Sequence, residues 1–181
     1  MSGEPMITPD DKDWTWVLTE RCPECGFAAG EIERSDVASL LRHTARRFAA
    51  VVIEPGASER ARPDRWSTLE YCAHVRDVHR LYLERLGLML TENDPLYPNW
   101  DQDATAIDDD YASQDPAVVA QQVVETGDVL ADAFDAVHGD QWSRTGRRDD
   151  GAAFTIDTFA RYLIHDPVHH FWDVTGDRAD R

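Results

Sequence analysis

Histidine is the residue type through which this 181-residue chain could do chemistry. His165 and His169 stand four residues apart in the stretch His165-Asp166-Pro167-Val168-His169-His170. On a helix that spacing stacks two imidazoles one turn apart on a single face. A third, His74, ends the run Trp66-Ser67-Thr68-Leu69-Glu70-Tyr71-Cys72-Ala73-His74. Two imidazoles from one helix and one from a facing helix make three legs of a metal site. Three protein ligands leave a position open for water or substrate, as a catalytic site does and a closed structural site does not. The bland alternative is three hydrogen-bonded histidines on half-buried helix faces.

The neighbours of these histidines sort by spacing. His170 lies about 100° round the helix from His169. It is therefore expected beside the metal or on the surface, and it is the alternative to His169 as a ligand. Asp166 is expected to point away from the ligand pair, into a salt bridge. Glu70 and Asp77 flank His74 on its helix and are candidates to orient a ligand imidazole through its second nitrogen. Glu70 also has a structural task as a capping residue, and Asp77 has the alternative of a solvated charge. His43, His79 and His138 have no partner by spacing.

Cys22-Pro23-Glu24-Cys25-Gly26 resembles half of a zinc ribbon, but no second Cys-x-x-Cys follows, because Cys72 stands alone on a helix. Two packed thiols in a Gly-ended turn are the expectation there, with structural zinc as the alternative. Asp101-Gln102-Asp103-Ala104-Thr105 begins like a calcium loop. It lacks the required Gly at Ala106 and the required Glu at Ala112, and reads as a solvated acidic loop bordering the site.

Four helices must position these groups. The first spans about Asp36 to Ile53, with Val37, Leu40, Leu41, Phe48 and Val52 on one face and Ser35 as its expected N-cap. The second opens on the capping box Ser67-Thr68-Leu69-Glu70 and continues through Tyr71, Val75, Val78, Tyr82, Leu86 and Met89. His74 borders that buried stripe. A polar loop fills residues 91–114. The third helix opens on Asp115-Pro116, a capping acid followed by proline at the first helical position. Residues 147–152 read as a polar turn. The fourth helix runs from near Thr155 to near Gly176 and contains Pro167, which deletes the hydrogen bond to Leu163 and is expected to kink or widen the axis. Residues 1–33 form an irregular arm, too short to bury a core of its own, and residues 34–181 form the bundle.

Composition bounds the rest. The net charge of −17, from 35 acids and 18 bases, disfavours nucleic acid and anionic membranes as partners. Met1 to Lys12 shows neither the basic region nor the apolar run of a signal peptide. Three cysteines do not suggest a disulfide framework. A reduced, cytoplasmic protein acting on a small molecule is expected. Homodimerisation suits a bundle of this size, although no contact patch can be identified. The bases are all arginine except Lys12, which fits a GC-rich genome.

Trp66-Ser67-x-x-Glu70-x-x-x-His74, followed after an intervening helix by His165-x-x-x-His169, resembles the DinB-like superfamily over roughly residues 34–175. The His-Asp-x-x-His-His form and the arginine bias look like actinobacterial members. The resemblance implies an all-α fold, a four-helix bundle of up-up-down-down type. It also implies a divalent metal, zinc or nickel, on His74, His165 and His169. Relatives include bacillithiol- and mycothiol-dependent S-transferases and the metal-binding domain of a mycothiol-dependent maleylpyruvate isomerase. The function implied is metal-dependent transfer of a small electrophile to a low-molecular-weight thiol. The alternatives are hydrolysis at the same site and a non-catalytic, stress-related binding bundle. The Cys-x-x-Cys arm and Pro167 are not required by the family pattern.

Overall fold

The computed structural model describes residues 7–9 and 12–179. Most of the stretch in which a signal peptide was sought, residues 1–6 with Asp10 and Asp11, lies outside the described residues. The elements in chain order are α1 (Val37–Val52), α2 (Thr68–Thr91), β1 (Leu96–Tyr97), α3 (Gln102–Asp108), α4 (Pro116–Asp135), β2 (Thr145–Arg148), β3 (Ala153–Thr155) and α5 (Ile156–Thr175). Helices α1, α2, α4 and α5 pack against one another as the bundle.

Local chemistry sets most helix starts. Ser67 Oγ accepts from the Glu70 amide at 3.2 Å, and the Glu70 carboxylate accepts from the Ser67 amide at 2.7 Å. Asp115 accepts from the amides of Ala117 and Val118 ahead of Pro116. Thr155 and Thr158 cap α5 in the same reciprocal manner. The start of α1 differs from expectation. Ser35 lies within a 3-10 turn, Arg34–Asp36, and no side chain caps the helix. The tighter turn takes over this role, since the Asp36 amide bonds to the Glu33 carbonyl.

The fold is helix-rich but not purely all-α. Three short strands form one sheet in the order β1-β2-β3, with β1 parallel to β2 and β2 antiparallel to β3. Gly146 stands opposite Phe154 in the hairpin. Strands of two to four residues are too short to show an alternating pattern. The polar turn at 147–152 is the hairpin tip, and the loop at 91–114 supplies β1 and α3.

Two apolar clusters fill the bundle. Leu41, Tyr82, Leu86, Leu130, Phe159 and Leu163 belong to the larger. Phe48, Leu69, Tyr111, Val123 and Phe171 belong to the second. Gly127 permits the close approach of α4 to α1: a methyl group there would stand 2.8 Å from the Ala45 Cβ and 3.2 Å from the His79 ring.

The arm lies on the last helix. Its 3-10 turns, Thr15–Leu18 and Ala29–Glu31, pack on α5, and Val17, Cys22, Cys25 and Ala29 are buried completely. Among the described residues, no helix is long and apolar enough to cross a membrane.

Candidate metal centre

The capping box fixes where α2 begins, and His74 follows from it by two turns. The ring of His74 is fully buried. It stacks on Trp100 at 5.3 Å with an interplanar angle of 9°, and Trp66 lies 5.2 Å away on a tilt. Neither ring nitrogen has a hydrogen-bond partner among the described residues. Leaving a buried polar atom unsatisfied costs about 1–3 kcal/mol, so this ring requires an explanation.

Helix α5 supplies it. The helix runs unbroken through Pro167 and carries two pairs of ligand-type residues, each four apart and offset by one position. Asp166 and His170 face α2. Asp166 Oδ1 is 3.6 Å from His74 Nε2, too far for a direct hydrogen bond, and it too is shielded without a partner. His170 Nε2 lies 3.8 Å from Asp166 Oδ2, and the His170 ring meets that of His74 edge-on at 4.9 Å. Ligand-type atoms of His74, Asp166 and His170 all lie within 4.8 Å of one another.

His165 and His169 face the arm instead. His169 Nδ1 is 3.6 Å from Cys22 Sγ, and His165 Nε2 is 3.7 Å from Cys25 Sγ. These four atoms form a second group within 4.8 Å of one another.

The three histidines expected to act together are thus divided between two clusters. The reason is angular: neighbouring helix positions differ by about 100°, so the two interleaved pairs address different neighbours. Asp166 and His170, expected at the margin, stand beside His74. The two other candidates are engaged elsewhere. Asp77 takes Arg76 at 2.8 and 2.9 Å, Arg80 at 2.8 Å and the Tyr111 hydroxyl at 2.6 Å. Glu70 serves the capping box and pairs with Arg60 at 2.9 Å. The signal for Asp166 and His170 was present in the sequence as a second spacing of four.

Burial is the main influence on the site's charges. It lowers the pKa of His74, against the opposing pull of Asp166, and it brings His165 down to about 4 with help from His169. Burial lowers His169 as well. Neutral imidazole is the form that ligates metals. Burial alone would raise the Asp166 pKa, but His170 and His74 outweigh it and hold the carboxyl well below the usual range. The inward groups are a neutral His74 imidazole, an Asp166 carboxylate and the ring of His170, a donor set that suits divalent first-row metals. On the observation of its orphaned nitrogens and oxygen, the cluster fits a metal.

Asp166 and His170 open onto a cleft of about 1070 Å³ whose walls include Trp14, Tyr82, Trp100 and Tyr162. Arg85 lines it as well. Its guanidinium donates to the Pro98 carbonyl at 2.7 Å and lies 4.8 Å from the Tyr97 ring centre. Arg85 is 4% exposed, and among the described residues no carboxylate pairs with it. Asp101, Gln102 and Asp103 border the same cleft.

No curated protein matches the chain. A solved structure described as "YfiT from Bacillus subtilis is a probable metal-dependent hydrolase with an unusual four-helix bundle topology" resembles it with a TM-score of 0.69 at 20% identity. The likeness covers 79% of this chain and 84% of that one, and it shows a shared fold. The model of the DinB superfamily matches residues 9–174, nearly the whole length, and so the chain belongs to the DinB superfamily.

Proposed function

We propose that this protein is a metal-dependent enzyme whose open site is made by His74, Asp166 and His170, acting on a small substrate that carries an anionic group. The observation that carries the reading is the buried His74 ring, with both nitrogens unpartnered, facing an equally unpartnered Asp166 oxygen. When bound, a divalent metal such as zinc or nickel supplies Lewis-acid chemistry, lowering the pKa of a thiol or water that enters the cleft.

The chain's own groups do the rest. His74, Asp166 and His170 would hold the cation, and the Asp166 carboxylate would also offset its charge. Trp100, stacked on His74, keeps water from the inner side of the site. Arg85, buried and with no carboxylate partner among the described residues, would fix a carboxylate or phosphate of the substrate.

The finer reading is transfer to a low-molecular-weight thiol of the mycothiol class. The thiol sulfur forms the new bond to an electrophilic carbon, and its proton leaves with the departing group. The volume of the cleft supports this, because it is at the upper end of what one small ligand occupies and can seat two reactants. Hydrolysis is the second reading, supported by the description of YfiT as a probable metal-dependent hydrolase. A reducing cytoplasm belongs to the same proposal, since all three cysteines are free thiols. The net charge of −17 turns this reading away from nucleic acids and anionic membranes.

The test is a screen of small electrophiles bearing carboxylate or phosphate, using zinc- or nickel-loaded protein with and without thiol. Turnover that requires thiol supports transfer, and equal turnover without thiol supports hydrolysis. If the Asp166→Ala, His170→Ala double variant binds metal as well as the parent, the assignment of the open site is overturned. Retention by that variant with loss both in His74→Ala and in His165→Ala, His169→Ala would favour the set of His74, His165 and His169.

A further inference from the structure

We propose that Cys22, Cys25, His165 and His169 form a second, closed site for a zinc ion, which fastens the N-terminal arm to α5. The donor set is two thiols and two imidazoles, the set of many structural zinc sites. All four residues are buried: the cysteines completely, His165 to 5% exposure and His169 to 8%.

The distances have the right size. With sulfur at ~2.3 Å and nitrogen at ~2.05 Å from a tetrahedral zinc, neighbouring sulfur and nitrogen atoms stand roughly 3.6 Å apart. The observed separations are 3.6 Å for Cys22–His169 and 3.7 Å for Cys25–His165. Each thiol therefore meets one imidazole along an edge of the required figure.

The surroundings are built for the same end. Gly26 follows the second cysteine at φ +81°, a conformation that glycine adopts without strain, and its amide bonds to the Cys22 carbonyl at 2.9 Å. The Cys22 amide bonds to the Phe27 carbonyl at 2.9 Å, so the loop turns both sulfurs to one side. On His169 the outward nitrogen, Nε2, lies 3.7 Å from Glu24 and 3.9 Å from Asp173. Carboxylates in that position orient a ligating imidazole and increase its basicity. Trp14 covers both imidazoles, with ring centres 5.3 and 4.9 Å away. Four protein ligands leave no position for substrate, so this site is structural, in contrast to the open one.

The experiment uses the full chain, purified under reducing conditions and stripped of metal, then titrated with zinc chloride and, separately, with cobalt chloride. Cobalt in a site with two thiolates gives an intense sulfur-to-metal charge-transfer band and strong tetrahedral ligand-field bands. These are expected in the parent and in Asp166→Ala, His170→Ala, and zinc is expected to displace the cobalt and erase them. Cys22→Ser, Cys25→Ser should lose the bands and the slowly exchanging zinc while keeping the readily chelated metal. His165→Cys, which retains four ligands, should keep the zinc and strengthen the charge-transfer band. A parent protein without the charge-transfer band overturns the proposal, and so does full retention of slowly exchanging zinc by the double serine variant. The parent spectrum decides even if that variant does not fold, and loss of metal from the open site alone leaves this result intact.

Discussion

The two faces of α5 share one spacing and differ in the donors that meet them. On one face, His165 and His169 meet two thiols from the arm, with Trp14 against both imidazoles. On the other, Asp166 and His170 meet the single imidazole of His74 beside an open cleft. Four donors fill a tetrahedral shell and make a fastener, and three donors leave a position open for chemistry. Ligand count and donor type separate the two.

The contrast can be broken most forcefully at the thiols. Cys22→Ser with Cys25→Ser should release the arm and lower stability by about 3–5 kcal/mol when zinc is present, as loss of a structural cross-link does. For a chain of this size, that is a fall in melting temperature of roughly 6–20 °C. Calorimetry, with limited proteolysis between residues 12 and 33, reads the effect. An unchanged melting temperature in zinc would place the arm's stability elsewhere.

His170→Ala should act in the opposite sense. Activity found in the screen should drop by about 100-fold or more when one protein ligand is lost, while melting temperature in zinc moves by no more than about 4 °C. A large stability loss without change in metal exchange would show that this face, too, is structural.

Arg85→Met keeps the length of the side chain and removes its charge. It should weaken binding of carboxylate- or phosphate-bearing ligands by about tenfold while leaving neutral analogues unaffected. Isothermal titration with matched ligand pairs measures the difference, and equal weakening of both classes would make Arg85 a packing residue.

The smallest effect concerns the helix that delivers His74. Burial would raise the Glu70 pKa, but Arg60 and the Ser67 amide outweigh it and hold the group below its ordinary value of 4.5. Glu70 therefore adds stability that is present above 4.5 and lost as pH falls through the depressed folded value. Glu70→Gln should cost about 1–2 kcal/mol at neutral pH, discounted for the part-exposed Arg60, and flatten the acid limb of stability. Urea unfolding at pH 7 and pH 3.5 reads both effects, and an unaltered acid limb would remove Glu70 from the account.

Much of this was legible in the sequence wherever the cause was local. Ser67 with Glu70, Asp115 with Pro116, and Thr155 mark helix starts because their side chains bond to amides two or three residues away. The site was legible only in part. His74, His165 and His169 are visible by type and spacing, but two spacings of four lie interleaved on α5, His165 with His169 and Asp166 with His170. Nothing local tells which neighbour each face meets. The partners of Cys22 and Cys25 lie 147 and 140 residues away, beyond any spacing rule for a zinc ribbon. Spacing offers Asp77 either His74 or solvent, while the Tyr111 hydroxyl that bonds to it comes from a loop with no periodic signal. The sheet escaped notice because its strands are shorter than any recognisable alternation.

The separation of Cys22 from His169 also bears on how the chain assembles. The arm leaves the ribosome before α5, so the four-ligand cluster can be completed only after the elements between them have been synthesised. A cation joining residues 22 and 169 would then close a loop of 147 residues. In the chain-entropy description such a closure is worth about 5 kcal/mol, near the upper end for any single cross-link. Zinc captured there would act as a late latch, admitting only chains whose arm and α5 have already found each other.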